Sequence, residues 1–133
     1  MIKFCKYNEN PKGRKTTDCV TRALTSASGI PYVDVLRLQY EFASKRFYAF
    51  DDKRTYEGIL EMFGYKKMKQ PRKENGKKYT VGELDEILTW TQMYKEGVFV
   101  TISGHCTYIY DGTVWDTWDC RDYTVCNYYV KGE

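Results

Sequence analysis

Early in the chain, apolar residues recur at helical spacing; near its end they alternate with polar ones. The opening IKFCKY, residues 2–7, roughly alternates and predicts a short edge strand. Asn8 to Lys15 is rich in Asn, Pro and Gly and reads as a loop. In TTDCVTRALTSASG, from Thr16 to Gly29, Val20, Ala23, Leu24 and Ala27 fall at i, i+3, i+4 and i+7, one stripe of a short helix. Thr17 or Asp18 supplies an N-cap oxygen, and Gly29 is placed to end the helix. Pro31 suits the first turn of a second helix over 32–46. Its Val33, Leu36, Tyr40, Val35, Leu38 and Phe42 make a wide stripe that predicts good cover. A third helix over 54–63 aligns Tyr56, Ile59, Leu60 and Phe63, with Gly64 as its C-cap.

Lys66, Lys67, Lys69, Arg72, Lys73, Lys77 and Lys78 interrupt this pattern, and Pro71 and Gly76 make the stretch a loop with room for a short strand before it. Thr80 to Glu83 fits a capping box that opens a fourth helix ending near Trp90, with Val81, Leu84, Ile87 and Leu88 at helical spacing. From Gly97 the pattern turns to strands. GVFVTIS is one; GHCTYIY and TVWDTWD flank Asp111-Gly112 as a hairpin; residues 123–130 form the last. Helices first and antiparallel strands last make an α+β order, with N-terminal helices packed on a C-terminal antiparallel sheet. A length of 133 residues predicts one domain, 1–133.

Composition narrows the class. No apolar run approaches a membrane span, and the polar N-terminus lacks a signal peptide's apolar run, so a cytoplasmic protein with reduced thiols is expected. Five cysteines, none in a C-x-x-C spacing, signal neither a zinc knuckle nor a redox pair, and no metal or cofactor is expected. A net charge of +3 does not call for nucleic acid. The basic stretch reads as a solvated loop, and no nucleic-acid binding is expected of it. The tyrosines Tyr94, Tyr108, Tyr110, Tyr128 and Tyr129 suit either a recognition surface or half-buried strands.

The candidate chemistry centres on Cys19, in the first turn of the first helix. Unpaired backbone N–H groups and the positive end of the helix dipole favour a thiolate there. His105 is the only histidine and lies at the start of the hairpin. With a two-residue turn, Tyr110 pairs with Thr113, Thr107 with Asp116 and His105 with Trp118. Strand alternation then puts His105, Thr107, Ile109, Val114, Asp116 and Trp118 on one face, so Asp116 is diagonal to His105. A bulge would flip the parity and bring in Asp119 instead. Trp118 is placed to pack on the imidazole, and Cys106 points to the opposite face. A cysteine, a histidine and a carboxylate so arranged are the parts of a nucleophilic triad. Arg22, one helical turn after Asp18, predicts an ion pair with it.

DCVTRAL followed far downstream by GHCTYIYDGTVWDTWD resembles the papain-like fold. It is similar in particular to compact bacteriocin-processing peptidase domains, and to small papain-like proteins of bacteriophages and their host bacteria. The resemblance spans about Asn8 to Val130. It implies Cys19 as nucleophile, His105 as base and Asp116 as orienting acid. Papain-like peptidases place a Gln a few residues before the cysteine to help hold the oxyanion; here none occurs, and Val20 stands where processing peptidases have Gly. Asn8 or Asn10, together with the Cys19 N–H, is the substitute donor set, with Asp18 and Asp119 as supporting acids. The implied activity is a cysteine hydrolase or acyl transferase acting on a peptide or isopeptide amide of a protein substrate. The alternative is a papain-like scaffold without turnover that binds a host protein, a nucleotide or nucleic acid. For a phage-encoded chain the compartment would be the host cytoplasm.

Overall fold

The computed structural model describes residues 1–90 and 96–132. Its strands are β1 (Lys3–Lys6), β2 (Tyr65–Met68), β3 (Val98–Ile102), β4 (His105–Tyr110), β5 (Thr113–Asp116) and β6 (Asn127–Lys131). Its helices are α1 (Cys19–Ser28), α2 (Tyr32–Arg46), α3 (Lys53–Met62) and α4 (Asp85–Trp90). The class is α+β. The strands form one six-stranded sheet in the order β1-β5-β4-β3-β6-β2.

That sheet is mixed rather than wholly antiparallel, and it is not built from the C-terminal strands alone. β1 lies at one edge, parallel to β5, with Lys3 opposite Thr113 and Lys6 opposite Asp116. β2 closes the other edge, antiparallel to β6. Both edges therefore come from the N-terminal part of the chain. The central strand β3 is buried along its whole length, as a strand covered on both faces must be.

Side-chain alternation divides the core in two. Phe99, Cys106, Tyr108 and Tyr129 face Val20, Ala23, Leu24, Ile59 and Leu60 of α1 and α3. Val98, Val100, Ile109, Val114 and Val130 face the other way, toward Val81, Leu84 and Leu88 around α4. A short 3-10 turn, Val81–Glu83, precedes α4, and the Glu83 carboxylate accepts the Thr80 N–H at 2.9 Å as the capping box requires.

Several local expectations need correction. α2 packs on α1 and α3 in an outer layer, so it buries only Val35, Gln39 and Ala43, while Val33 and Tyr40 are exposed. Phe63 rather than Gly64 is the C-cap residue of α3; Gly64 follows with φ +84°. The last strand starts at Asn127, because residues 123–125 pair with the segment before α4 instead: Val81 N–H donates to Tyr123 O and Val125 N–H to Tyr79 O, each at 2.9 Å. Of the tyrosines considered for a recognition surface, Tyr108, Tyr128 and Tyr129 are buried and Tyr110 is exposed; Tyr94 lies outside the described residues.

The hairpin that carries His105 has its two-residue turn. Tyr110 pairs with Thr113 and Ile109 with Val114, and Asp111 and Gly112 have φ +48° and +73°. Positive φ at both central residues is the type I′ geometry, whose twist matches the flanking strands. This register fixes which acid shares a face with His105.

Candidate functional site

Cys19 is the first residue of α1, and α1 lies against β4. Asp18 occupies the N-cap position, yet neither it nor Thr17 supplies a side-chain cap. Both Asp18 oxygens are committed elsewhere. One accepts Arg22 Nε at 2.8 Å; the other accepts the Tyr32 hydroxyl at 2.6 Å and Asn10 Nδ2 at 3.1 Å. The first-turn N–H groups of α1 thus lack the usual side-chain acceptor, at the end of the helix that carries the sulfur.

His105 opens β4 and faces away from α1 by strand parity, whereas Cys106 faces toward it. Because His105 is the terminal residue of its strand, its ring lies at the end of the sheet, where the N-terminus of α1 also arrives. Its Nε2 is 2.7 Å from Asp116 Oδ2. That bond leaves Nδ1 as the ring nitrogen available to Cys19. Trp118 packs on the imidazole with ring centroids 4.8 Å apart.

Asp116 is almost fully buried. Burial, the largest single influence, would raise its pKa, but the His105 hydrogen bond, the imidazolium charge and the neighbouring hydrogen-bond donors together outweigh it and hold Asp116 below the usual carboxylate value. Its other oxygen accepts Arg22 Nη1 at 2.8 Å and the Thr117 N–H at 2.7 Å. Arg22 therefore bridges two buried carboxylates, Asp18 on the helix cap and Asp116 on β5. From the sequence, Arg22 was expected to pair with Asp18 alone. Its position three residues after Cys19 was the missed signal: two residues at that spacing share a helix face, so an arginine there meets whatever the cysteine meets.

The electrostatics favour an ion pair. The Cys19 thiol is pulled down to about 4, first by the Cys106 thiol, then against burial by His105, with the Cys106 backbone N–H and the imidazolium charge adding to it. His105 is raised to about 9: burial opposes its charge, and the Asp116 hydrogen bond and the Cys19 sulfur overcome that. Cys106 is driven the other way and stays a thiol, because it donates toward Cys19 and is buried. Its approach to the sulfur follows from the parity that turns it away from the imidazole.

The remaining expected site residues lie apart from this cluster. Asn8 donates to Arg14 O at 3.2 Å and accepts the Asn10 N–H at 2.9 Å, so it shapes the loop rather than offering an amide to an oxyanion. Asn10 is buried against Asp18 and Tyr32. Asp119 is tied to Arg121 by two bonds of 2.9 and 2.8 Å and does not reach His105, because the hairpin has no bulge. Of the three cysteines late in the chain, Cys106 faces α1 and Cys126 is exposed. His105, Asp116 and Cys120 do bring donor atoms within 4.8 Å of one another. Burial pushes the Cys120 thiol up to about 12, so it stands behind the His–Asp pair as a neutral group.

A cleft of about 460 Å³ opens at Cys19 and His105. Arg14, Lys15, Thr16 and Thr17 line it from the loop before α1, and Trp118 lines it from beyond β5. No protein-family model, curated protein or solved structure matches the chain.

Proposed function

We propose that this protein is a cysteine hydrolase or acyl transferase of papain-like architecture acting on a peptide or isopeptide amide. The observation that carries this reading is the joined set of Cys19, His105 and Asp116, with the thiol pulled down to about 4 and the imidazole raised to about 9. Between those limits the pair is thiolate and imidazolium, the resting state a sulfur nucleophile needs.

The chemistry follows from that state. The Cys19 thiolate adds to the amide carbonyl, and the oxygen takes the negative charge. The uncapped first-turn N–H groups of α1 are the donors for it. The His105 imidazolium gives its proton to the leaving amine as the C–N bond breaks, which leaves a thioester on Cys19. Neutral His105 then takes a proton from water, or from an amine acceptor, as it attacks the thioester and releases the thiolate. Asp116 holds the ring through Nε2 and favours its charged form throughout.

One observation favours a second reading, a scaffold of the same kind that binds a host protein or nucleotide without turnover. Among the described residues no side-chain amide lines the cleft, so the oxyanion would lack the Gln-like donor that papain-like peptidases place there. Limiting iodoacetamide at about pH 5 tests the nucleophile, since only a thiolate reacts there. Cys19 should label before Cys5 and Cys126, and His105→Ala should slow it. Equal labelling of all three, unchanged in His105→Ala, removes the enzyme reading. Turnover is tested separately: a thioester that forms with an activated acyl donor and does not decay would favour the scaffold.

A further inference from the structure

Resting on that reading of Cys19, we infer that the cleft takes a substrate with a carboxylate beside the scissile amide, recognised by Arg14 and Lys15. Both cations line the cleft that Cys19 and His105 open into, and both are exposed. Among the described residues neither forms an ion pair: the acids near the site are already taken. Asp18 is buried against Arg22, Tyr32 and Asn10, and Asp116 against His105 and Arg22. The thiolate and imidazolium offset each other, and Arg22 offsets one of the two buried carboxylates, which leaves a single negative charge behind the site. Arg14 and Lys15 add two positive charges at the exposed side of the cleft, so the charge facing it is net positive.

The rest of the lining fits the same ligand. Thr16 and Thr17, next to the two cations in sequence, add hydroxyl groups to the same lining. Trp118, held on the His105 ring and partly exposed, gives an apolar wall for the substrate's backbone or side-chain carbons. An arginine and a lysine beside hydroxyls bind a carboxylate, and their charge would disfavour a basic residue in that place.

Two alkylating agents that differ in one charge test this in the intact protein. Iodoacetate and iodoacetamide are each reacted with Cys19 in wild type and in the Arg14→Ala/Lys15→Ala variant, at low salt and at about 0.5 M NaCl. An exposed cation a few ångströms from an anionic reagent is worth roughly two- to threefold in rate at low ionic strength. The iodoacetate-to-iodoacetamide rate ratio should therefore fall about fivefold in the double variant at low salt and converge with wild type at high salt. The iodoacetamide rate should stay the same, because neither residue touches the sulfur or the imidazole. N-acetyl-aspartate amide and N-acetyl-alanine, as protectants of Cys19 against iodoacetamide, separate an acidic side chain from a chain-terminal carboxylate; N-acetyl-asparagine amide should protect least. Fast iodoacetamide labelling with the same rate ratio in both proteins overturns the inference and leaves the nucleophile standing. Slow labelling by both agents removes the nucleophile instead, and the ratio still reports on the cations.

Discussion

Cys106 is the residue whose role is easiest to isolate. Its thiol donates toward the Cys19 sulfur, so Cys106→Ala should raise the Cys19 pKa and slow its alkylation at about pH 5, while Cys106→Ser, which keeps a donor, should retain most of the rate. Asp116 acts on the other limb. With His105 raised to about 9, turnover by the proposed hydrolase should fall as pH climbs through that value, since a leaving amine would then find no acid. Asp116→Asn should bring this alkaline limb down toward the ordinary histidine value near 6.5, and Asp119→Asn should leave it in place. The lowered thiol contributes stability that is lost as pH falls through about 4; the raised imidazole contributes stability that is lost as pH rises through about 9. Between about 6.5 and 9 the two contributions run in opposite directions and largely cancel, so a folding midpoint measured across pH should decline mainly on the acid side, as pH falls from about 6.5 to about 4, and Cys19→Ala should remove that acid decline. His105 and Asp116 could be brought together from the sequence because one histidine and a two-residue turn leave little freedom. The contributions of Cys106 and Arg22 could not, since they depend on how the end of α1 seats on β4. Asn8 shows the converse: a side-chain amide near a cysteine in sequence has no reason to face it when local loop bonds compete.

Between elements, the main tie at the site is ionic. Arg22 on α1 joins the cap residue Asp18 to Asp116 on β5, and all three are largely removed from water. Removing the cation would strand two buried carboxylates, so Arg22→Ala should cost about 3–5 kcal/mol in a denaturant titration. Lys45→Ala, which breaks an exposed pair with Glu41, should cost no more than about 0.5 kcal/mol. Arg22→Lys keeps the charge but lacks the fork that reaches both acids, and should recover only part of the loss. Gly112→Val would force a β-branched residue to φ +73° in the turn that sets the register, at roughly 1–2 kcal/mol. Helix positions were legible from period and caps, because each depends on a few neighbouring residues. Strand order was not: nothing local to IKFCKY states that it will lie parallel to a strand more than a hundred residues away. The width of the apolar stripe on α2 misled for a related reason, since periodicity reports which face is buried and not how many layers cover it.

Across the whole molecule, charge is spread so that the basic stretch is partly answered: Lys67 pairs with Glu57, and Lys73 with Glu83. No helix among the described residues is long and apolar enough to cross a membrane. Binding to duplex DNA, followed by fluorescence anisotropy from low to physiological salt, should show no tight complex at physiological salt; steep salt dependence lost on replacing Lys66, Lys67, Lys69 and Lys73 would contradict this. The sheet order has a consequence in time rather than in space. Among the described residues β1 has its only strand neighbour in β5, and Cys19 has its partners on β4, so neither can be satisfied until the far end of the chain is present. Contacts between residues so distant along the chain form late and slowly. On a chain synthesised from its N-terminus, the thiol of Cys19 would therefore remain an ordinary cysteine while the helices around it form, and would become a nucleophile only when the sheet closes. In a urea series its alkylation rate at about pH 5 should drop with the main unfolding transition and not before. The proposed nucleophile would then be inert in a chain whose sheet has not yet closed, a safeguard that resides in the order of the strands.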